Sequence, residues 1–209
     1  FDYALILSGD QLYQMDFNEM LEAHIAADAA ISIATLPVNA KDAPEFGILK
    51  TNHESCIEAF IEKPNASLLP EWESEVSEQM QAQGKKYLAS MGIYIFNRQL
   101  LEDLMADPDT KDFGKEIIPQ AVGKHKILSY QYEGYWTDIG NIESFFEANI
   151  GLTADIPEFN LFDNENKIFT RPRLLPPSKF RDSNINQSLI SEGCFINAKE
   201  IKSSVIGIR

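Results

Sequence analysis

Positively charged residues are scarce in this sequence of 209 residues, with 18 lysines and arginines against 32 aspartates and glutamates. The formal net charge of −14 argues against a nucleic-acid partner, because binding to a phosphate backbone needs a basic surface. Only two cysteines, Cys56 and Cys194, are present. They are too few for a disulfide framework and indicate reduced thiols. The three histidines stand apart and lack the spacing of a zinc site.

Long hydrophobic runs are also missing, since no apolar stretch approaches the roughly 20 residues of a membrane-spanning helix. The short apolar run at residues 3–7 follows Asp2 and lacks a basic flank, so we interpret it as a strand rather than a signal peptide. We therefore expect a cytoplasmic protein without a membrane partner. With 44% hydrophobic residues, the chain can form one large domain, or one domain and the start of another.

Apolar runs that predict strands alternate with segments that predict helices. The strands are expected at residues 3–7, 30–38, 46–50, 57–62, 87–96 and 126–132. Helices are expected after Asp16, after Asn97, around residues 117–122 and after Asn141. This alternation is typical of an α/β fold with a mostly parallel sheet, in which ligands bind beyond the carboxyl ends of the strands.

The pattern changes from residue 153 onwards. Four prolines between residues 157 and 177 interrupt a stretch with little periodicity, which predicts a linker. Beyond it, Leu189, Phe195 and Ile201 recur every six residues, and Ser188-Leu189-Ile190 is echoed by Ser204-Val205-Ile206. A six-residue apolar period is typical of a parallel β-helix. We therefore predict a first domain at residues 1–152, a linker at 153–180 and the beginning of a β-helix at 181–209.

Four short sequence segments, called phrases below, contain the candidate functional residues. Each lies in or at the end of a strand-like run. They are Leu7-Ser8-Gly9-Asp10, Phe60-Ile61-Glu62-Lys63-Pro64, Ala89-Ser90-Met91-Gly92-Ile93-Tyr94 and Tyr135-Trp136-Thr137-Asp138-Ile139-Gly140. Together they supply two aspartates, a lysine and a glutamate, a set that suits holding a phosphorylated sugar against a metal-bound nucleotide. Because the phrases lie far apart in the sequence, only the fold can bring them together.

Asp10 and Asp138 are the candidate metal ligands. Mg²⁺ takes one or two carboxylates together with phosphate oxygens and water, so two aspartates suffice. Each residue also has an ordinary alternative role. Asp10 follows a glycine and fits a turn, which the local sequence favours, and Asp138 precedes a helix whose dipole attracts a carboxylate. From the residues alone, both interpretations of Asp138 stay open.

The candidate sugar-phosphate residues lie in the second and third phrases. Lys63 ends a strand and can direct a positive charge at a phosphate, although a solvated strand end is the more common role of a Glu-Lys pair. Adjacent strand residues face opposite ways, so Glu62 and Lys63 can share a pocket only if Pro64 bends the backbone. Ser90 and Gly92 are expected on one strand face, where small residues leave room for a sugar or pack tightly in the sheet.

Taken in this order, the four phrases resemble the glucose-1-phosphate adenylyltransferases, or ADP-glucose pyrophosphorylases. The resemblance includes a further segment between the third and fourth phrases, Asp112-Phe113-Gly114-Lys115-Glu116-Ile117-Ile118-Pro119. Gly9-Asp10-Gln11-Leu12-Tyr13 is similar to that family's strand-end signature, and Pro176-Pro177-Ser178-Lys179-Phe180 is similar to its linker. The resemblance covers nearly the whole chain. It depends on the ordered set, because Gly-Asp and Glu-Lys-Pro occur across sugar nucleotidyltransferases.

The resemblance implies a Rossmann-like nucleotidyltransferase domain followed by a left-handed parallel β-helix. It implies Mg²⁺-dependent transfer from ATP to α-D-glucose 1-phosphate, which gives ADP-glucose and pyrophosphate for glycogen or starch synthesis. By this resemblance Asp10 and Asp138 would bind Mg²⁺, Lys63 would hold the phosphate, and Glu62 and Ser90 would contact the glucose. Members are typically homotetramers under allosteric control. The predicted catalytic residues are Asp10, Lys63 and Asp138, and the predicted substrate-binding residues are Glu62, Lys63, Ser90 and Gly92.

The chain departs from the family at one place. The family opens with a glycine-rich loop that contains an arginine and cradles the nucleotide phosphates, and this sequence has no such loop. We therefore expect the middle of a longer protein, inactive by itself. Two alternatives remain, namely a nucleotidyltransferase that uses UTP or dTTP, and a non-catalytic regulatory or scaffold subunit of the same fold.

Overall fold

The computed structural model describes residues 1–106 and 112–208. The chain divides into two compact units. The first comprises Phe1–Gly9 and Met15–Glu133, and the second comprises Asp10–Gln14 and Gly134–Arg209. This division differs from the predicted sequence domains, because two short segments of the predicted first domain belong to the second unit. The predicted boundaries at residues 152 and 180 stay a prediction.

Each predicted strand is present close to its expected bounds, and the structure adds short strands at Gln11–Tyr13 and Trp136–Asp138 and a short helix at Glu78–Ala82 that were not predicted. The strands are β1 (Tyr3–Ile6), β2 (Gln11–Tyr13), β3 (Ile31–Val38), β4 (Gly47–Thr51), β5 (Ile57–Glu62), β6 (Tyr87–Asn97), β7 (Ile127–Gln131) and β8 (Trp136–Asp138). The α-helices are α1 (Phe17–Ala26), α2 (Glu78–Ala82), α3 (Arg98–Leu104), α4 (Ile118–Ala121) and α5 (Ile142–Gly151). Short 3₁₀ segments occupy Ala43–Glu45 and Ala66–Trp72, and a π-helical turn occupies Phe113–Ile117. Within the described residues, no helix is long and apolar enough to cross a membrane.

Six strands of the first unit form one mixed sheet in the order β5-β4-β6-β3-β7, with β1 paired to β6 as well. Strand β3 runs parallel to β7, whereas the pairs β4–β5, β4–β6, β3–β6 and β1–β6 are antiparallel. The expectation of a mostly parallel sheet is therefore wrong for the described strands. The reason lies in β6, which is antiparallel to each of its neighbours, and in the β4–β5 pair, which adds another antiparallel ladder.

Strand β1 is present as predicted, but it is neither parallel to its partner nor fully buried. It pairs antiparallel with β6, from Tyr3 opposite Asn97 to Ile6 opposite Tyr94. Tyr3 and Leu5 keep 36% and 40% of their surface exposed. An apolar run identifies a strand, but it does not say which of the two strand faces will be covered.

Hydrophobic residues cover both faces of the sheet in the first unit. One cluster contains Leu49 and is completed by residues including Ile31, Ile33, Phe96, Ile117, Ile118 and Ile127. The other contains Ile48 together with residues such as Val38, Leu69 and Ala89. Since Ile48 and Leu49 are neighbours on β4, the two clusters lie on opposite faces. The sheet of the first unit is thus buried on both faces.

A buried polar network ties α1 to this sheet. His24 is 1% exposed, its Nδ1 lies 2.7 Å from Ser32 Oγ, and its Nε2 lies 3.0 Å from Asn97 Oδ1. The Asn97 amide nitrogen donates to the carbonyl of Ala29 at 3.3 Å, so Asn97 Oδ1 accepts the imidazole N–H. His24 therefore packs inside the protein with both ring nitrogens hydrogen-bonded. Asn97 begins α3 as predicted, but its side chain serves His24 rather than the helix.

The second unit ends in three short parallel ladders. Its last strands are β9 (Lys179–Arg181), β10 (Asn184–Asn186), β11 (Leu189–Ile190), β12 (Phe195–Asn197), β13 (Glu200–Lys202) and β14 (Val205–Ile206). They pair as β9–β12, β10–β13 and β11–β14, and partners are the same sequence distance apart in every ladder. A chain that returns onto itself at equal intervals on three sides is a parallel β-helix, as predicted.

Only some of the apolar residues whose repeat predicted this β-helix lie in its interior. Ile201 is buried, but Phe195 is 62% exposed. The echo of Leu189-Ile190 in Val205-Ile206 corresponds to the β11–β14 pairing. Serine hydroxyls add a second link between the coils, since Ser188 Oγ accepts the N–H of Ser204 at 3.2 Å.

Candidate active site

A short antiparallel ladder in the second unit brings Asp10 and Asp138 together. Strand β2 pairs with β8 so that Gln11 lies opposite Asp138. The amide of Ile139 donates to the carbonyl of Asp10 at 3.0 Å. Because Asp10 directly precedes Gln11, both aspartates lie at the same end of the ladder.

Both carboxylates border Gly140. A β-carbon at this glycine would lie 3.2 Å from Asp138 Oδ1 and 3.5 Å from Asp10 Oδ2. The Gly140 amide donates to Asp138 Oδ1 at 3.2 Å. Two negative charges that border one residue repel each other, and a divalent cation with its preference for carboxylate oxygens relieves that repulsion. The expected convergence of the two aspartates is found, and their role as metal ligands stays a prediction.

The donor set decides which kind of metal site these residues fit. Among the described residues, no group of three or more histidine, cysteine, aspartate or glutamate side chains has metal-binding geometry. Mg²⁺ bound to a nucleotide keeps several waters and phosphate oxygens and needs only one or two carboxylates from the protein. Asp10 and Asp138 therefore fit a cation that arrives with the substrate.

Neighbouring side chains hold the ladder and the helix that follows it. Trp136 Nε1 donates to Gln11 Oε1 at 3.2 Å, which links the two strands across the ladder. The Asn141 side chain accepts the N–H of Ser144 at 2.9 Å, so α5 begins at the predicted cap directly after the Asp138 phrase. These hydrogen bonds fix the backbone on both sides of Asp138.

In the first unit, the central strand β6 changes partners along one edge. Ala89 pairs with Ile48 of β4, and Tyr94 pairs with Ile6 of β1. Residues 90–93 lie between these two ladders, with no strand partner on that edge in the described part of the chain. Backbone groups at such a gap are available to a ligand.

A bulge in β6 at this gap overturns the expectation that Ser90 and Gly92 share one regular strand face. On the β3 side, Thr35 pairs with Ser90 and Ile33 pairs with Tyr94, so β6 has more residues than β3 over this stretch. Gly92 has a φ of 69°, which glycine adopts without steric cost, and its amide donates to Ser90 Oγ at 3.3 Å. The bulge interrupts the side-chain alternation from which the expectation was drawn.

The Glu62 carboxylate lies beside Gly47, its partner in the β4–β5 ladder. A β-carbon at Gly47 would lie 2.9 Å from Glu62 Oε2. A β-carbon at Gly114 would lie 3.8 Å from the same oxygen and 3.5 Å from Asp112 Oδ1. Since Gly47 directly precedes Ile48, which pairs with β6 next to the gap, the Glu62 carboxylate belongs to the surroundings of that gap.

Tyr94 lies near the carboxylates of Glu62 and Asp112. Its side chain is 7% exposed and stacks on Phe113, with ring centroids 5.6 Å apart. Burial raises the pKa of Tyr94, a hydrogen bond with Ser90 lowers it, and the negative charges of Glu62 and Asp112 raise it further. Glu62, Ser90, Tyr94 and Asp112 therefore form one polar cluster in the first unit.

Lys63 follows Glu62 in a left-handed backbone conformation, with a φ of 45°. Its amide donates to the carbonyl of Phe46 at 3.0 Å, and Pro64 after it is buried. The backbone thus departs from the extended conformation at Lys63, one residue before the expected Pro64, and the expectation that Glu62 and Lys63 share a pocket stays a prediction. Non-glycine residues rarely adopt this conformation, and such strain is concentrated at functional sites.

The structure thus collects the predicted residues in two groups. One group is Asp10 and Asp138 in the second unit. The other, in the first unit, surrounds the gap in β6 and contains Glu62, Ser90 and Gly92, with Lys63 next in the chain. The expectation that the two groups face each other across one cleft stays a prediction.

Sequence reasoning did not include Tyr94 and Asp112 among the site residues. Both lie in segments that were recognised, Tyr94 at the end of the third phrase and Asp112 at the start of the Asp-Phe-Gly-Lys segment. The signal that could have found Asp112 is its helix-start pattern, since its carboxylate accepts the N–H of Lys115 at 2.9 Å. Nothing in the sequence indicates its closeness to Glu62, which follows from a long-range contact.

Comparison with known protein families accounts for both parts of the chain. The family model described as nucleotidyl transferase matches residues 1–155. The model described as GLGC left-handed parallel beta-helix domain matches residues 173–209. The pair matches the glucose-1-phosphate adenylyltransferase family, although other sugar-1-phosphate nucleotidyltransferases share this architecture. The predicted fold class, a nucleotidyltransferase domain followed by a left-handed β-helix, is confirmed.

Replacing Gly47 with alanine should displace the groups around Glu62. The new β-carbon would meet the Phe60 ring at 2.7 Å and Glu62 Oε2 at 2.9 Å. We expect the free energy of unfolding to fall by about 1–3 kcal/mol, the usual cost of overpacking, as measured by chemical denaturation. Gly114→Ala is the matched control, because its nearest contacts of 3.5 and 3.8 Å are ordinary. Equal losses in the two variants would contradict this account.

The raised pKa of Tyr94 should make stability depend on pH at alkaline values. An unfolded tyrosine ionises near pH 10, before the folded one does. Its contribution to stability is therefore fully present below about pH 10 and is lost as the pH rises through the folded pKa. We expect Tyr94→Phe to flatten the alkaline fall in the free energy of unfolding, measured by denaturation at a series of pH values. A variant whose alkaline profile matches the wild type would show that Tyr94 is not responsible.

Proposed function

Because the chain belongs to the nucleotidyl transferase family, we propose that its full-length protein transfers an adenylyl group from ATP to α-D-glucose 1-phosphate. The products are ADP-glucose and pyrophosphate. Members of the family act on nucleoside triphosphates and sugar phosphates and generally use divalent metal ions. The choice of ATP and glucose rests on the ordered phrases of the sequence and on the type of β-helix that follows the first domain.

The observation that carries the proposal is the convergence of Asp10 and Asp138 at Gly140. A bound divalent cation, for which we propose Mg²⁺, supplies charge neutralisation and orientation at the phosphates of the nucleotide. The two aspartates would hold it through their carboxylate oxygens. The β2–β8 ladder positions both side chains before substrate arrives, so little reorganisation is needed during the reaction.

The transfer needs no nucleophile from the protein. A phosphate oxygen of glucose 1-phosphate attacks the α-phosphorus of ATP, and pyrophosphate leaves. What the chain supplies is position and charge. Lys63 would hold the sugar phosphate, Glu62 would accept hydrogen bonds from sugar hydroxyls, and the gap at Ser90 and Gly92 would admit the sugar ring.

The same resemblance is the basis for three further parts of the proposal. We place the enzyme in glycogen or starch synthesis, in the cytoplasm, and as an allosterically regulated homotetramer. The mass of the full-length protein in solution tests the homotetramer.

Asp10→Asn and Asp138→Asn should each lower turnover on the order of 100-fold or more, because each removes one positioned charge and keeps the side-chain size. Turnover is measured as pyrophosphate release from ATP and glucose 1-phosphate by the full-length natural protein. Binding of Mn²⁺, followed by electron paramagnetic resonance, gives a readout that does not depend on activity and should weaken in both variants.

Asp155→Asn is the control for this pair, since Asp155 is an exposed aspartate of the same unit. It should leave turnover and Mn²⁺ binding unchanged. Near-normal turnover in Asp10→Asn would show that the metal assignment is wrong. Faster release from UTP or dTTP than from ATP would keep the metal assignment and replace the proposed nucleotide.

Lys63→Ala should raise the apparent KM for glucose 1-phosphate about tenfold or more and change kcat less, because a charge on the non-reacting side of the phosphate binds substrate and transition state alike. Steady-state kinetics of the full-length protein measure both constants. The control is Lys41→Ala, an exposed lysine of the same unit. A lower kcat at an unchanged KM would mean that Lys63 acts in the chemical step instead.

A further inference from the structure

A cavity of about 420 Å³ in the second unit is lined by Tyr135 and Thr137. Residues 135–138 comprise β8 and the residue before it. Along them, Tyr135 and Thr137 alternate with Trp136 and Asp138. Alternate strand residues face opposite sides, so the cavity lies on the reverse side of β8 from the Asp138 carboxylate. It is therefore separate from the candidate metal pair, although the same strand borders both.

Aromatic rings form one wall of this cavity. Tyr135 and Phe159 both line it, with ring centroids 5.7 Å apart and an angle of 48° between their planes. Phe159 is 5% exposed, so its ring is held in place by the surrounding chain. The cavity thus offers a fixed aromatic surface.

Negative charge forms another part of the lining. Glu147 of α5 and Glu158 both border the cavity, whereas no lysine, arginine or histidine is among its lining residues. In the described part of the chain, no basic side chain forms an ion pair with either carboxylate. Burial raises the pKa of Tyr135, and the negative charge of Glu158 raises it further.

A larger cavity of about 760 Å³ in the first unit has a different charge arrangement. There His53 pairs with Glu75 at 2.7 Å, and Lys86 pairs with Glu73 at 3.6 Å. Basic side chains thus lie among the carboxylates of this larger cavity. The smaller cavity of the second unit differs in that its lining holds two glutamates and no basic side chain.

We propose that the cavity behind β8 binds a small organic cation, a primary amine or a quaternary ammonium compound. Such a cation would contact the Tyr135 and Phe159 rings and lie near the carboxylates of Glu147 and Glu158. Aromatic faces attract cations through the negative charge of their π-systems, and adjacent carboxylates strengthen that attraction. The volume falls in the usual range for small-molecule sites. This binding is additional to the proposed transfer reaction and does not depend on it.

The test is an NMR titration of the 209-residue chain with choline and with its uncharged carbon isostere, dimethylbutanol. The two probes have nearly the same shape and differ in charge. We expect saturable binding of choline, an upfield shift of its methyl protons caused by the aromatic rings, and binding of the isostere about tenfold weaker. Equal affinity for the two probes, or no ring-current shift, would overturn the proposal.

Two variants separate this site from general attraction to an acidic protein. Glu158→Gln, in the cavity lining, should weaken choline binding about fivefold. Glu143→Gln also removes one negative charge, but Glu143 lies on α5 and is not in the cavity lining. This variant should leave the affinity for choline unchanged. Equal weakening in both variants would show that only the net charge attracts the cation, which overturns the proposal. The ring-current shift in the wild type tests the site without any variant.

Discussion

The exchange of partners along β6 is the constraint on which the candidate sugar site depends. One edge of this strand pairs first with β4 and then with β1, and the four residues between the ladders have no strand partner there in the described chain. A continuous neighbour would have occupied this space with its own backbone. Gly92, with its φ of 69°, forms the bulge at this gap, and the Glu62 carboxylate lies beside Gly47, just before the β4 residue that pairs next to it. The gap at the candidate sugar site thus exists because pairing with β4 stops at Ala89 and pairing with β1 starts at Tyr94.

In the second unit, the structure holds two like charges, the carboxylates of Asp10 and Asp138, close to Gly140. The β2–β8 ladder and the hydrogen bond from Ile139 to Asp10 fix the backbone of both aspartates. Their repulsion is unfavourable for the folded chain without a cation. Under the proposed function, a cation with phosphate oxygens between the two carboxylates would relieve this repulsion.

Strand positions could be predicted from the sequence, because apolar runs such as residues 57–62 carry that information locally. Strand direction could not, since it depends on which distant segment becomes the neighbour, and β6 turned out antiparallel to each of its partners. The same limit applies to the site. Asp10 had a local alternative as a turn residue, and only the resemblance selected it. The left-handed Lys63 and the bulge at Gly92 are backbone features that no side-chain pattern indicates.

The charge of the chain bears on how it can handle two phosphorylated substrates. With a net charge of −14, the protein as a whole repels anions. Among the candidate residues, Asp10, Asp138, Glu62 and Asp112 are acidic, and Lys63 alone is basic. One lysine cannot offset a triphosphate, a sugar phosphate and these carboxylates together. The remaining positive charge must arrive with the nucleotide as a bound cation or come from residues outside the candidate set. The proposed assignment of Lys63 to the sugar phosphate rests on its position next to Glu62 in the chain and on the resemblance.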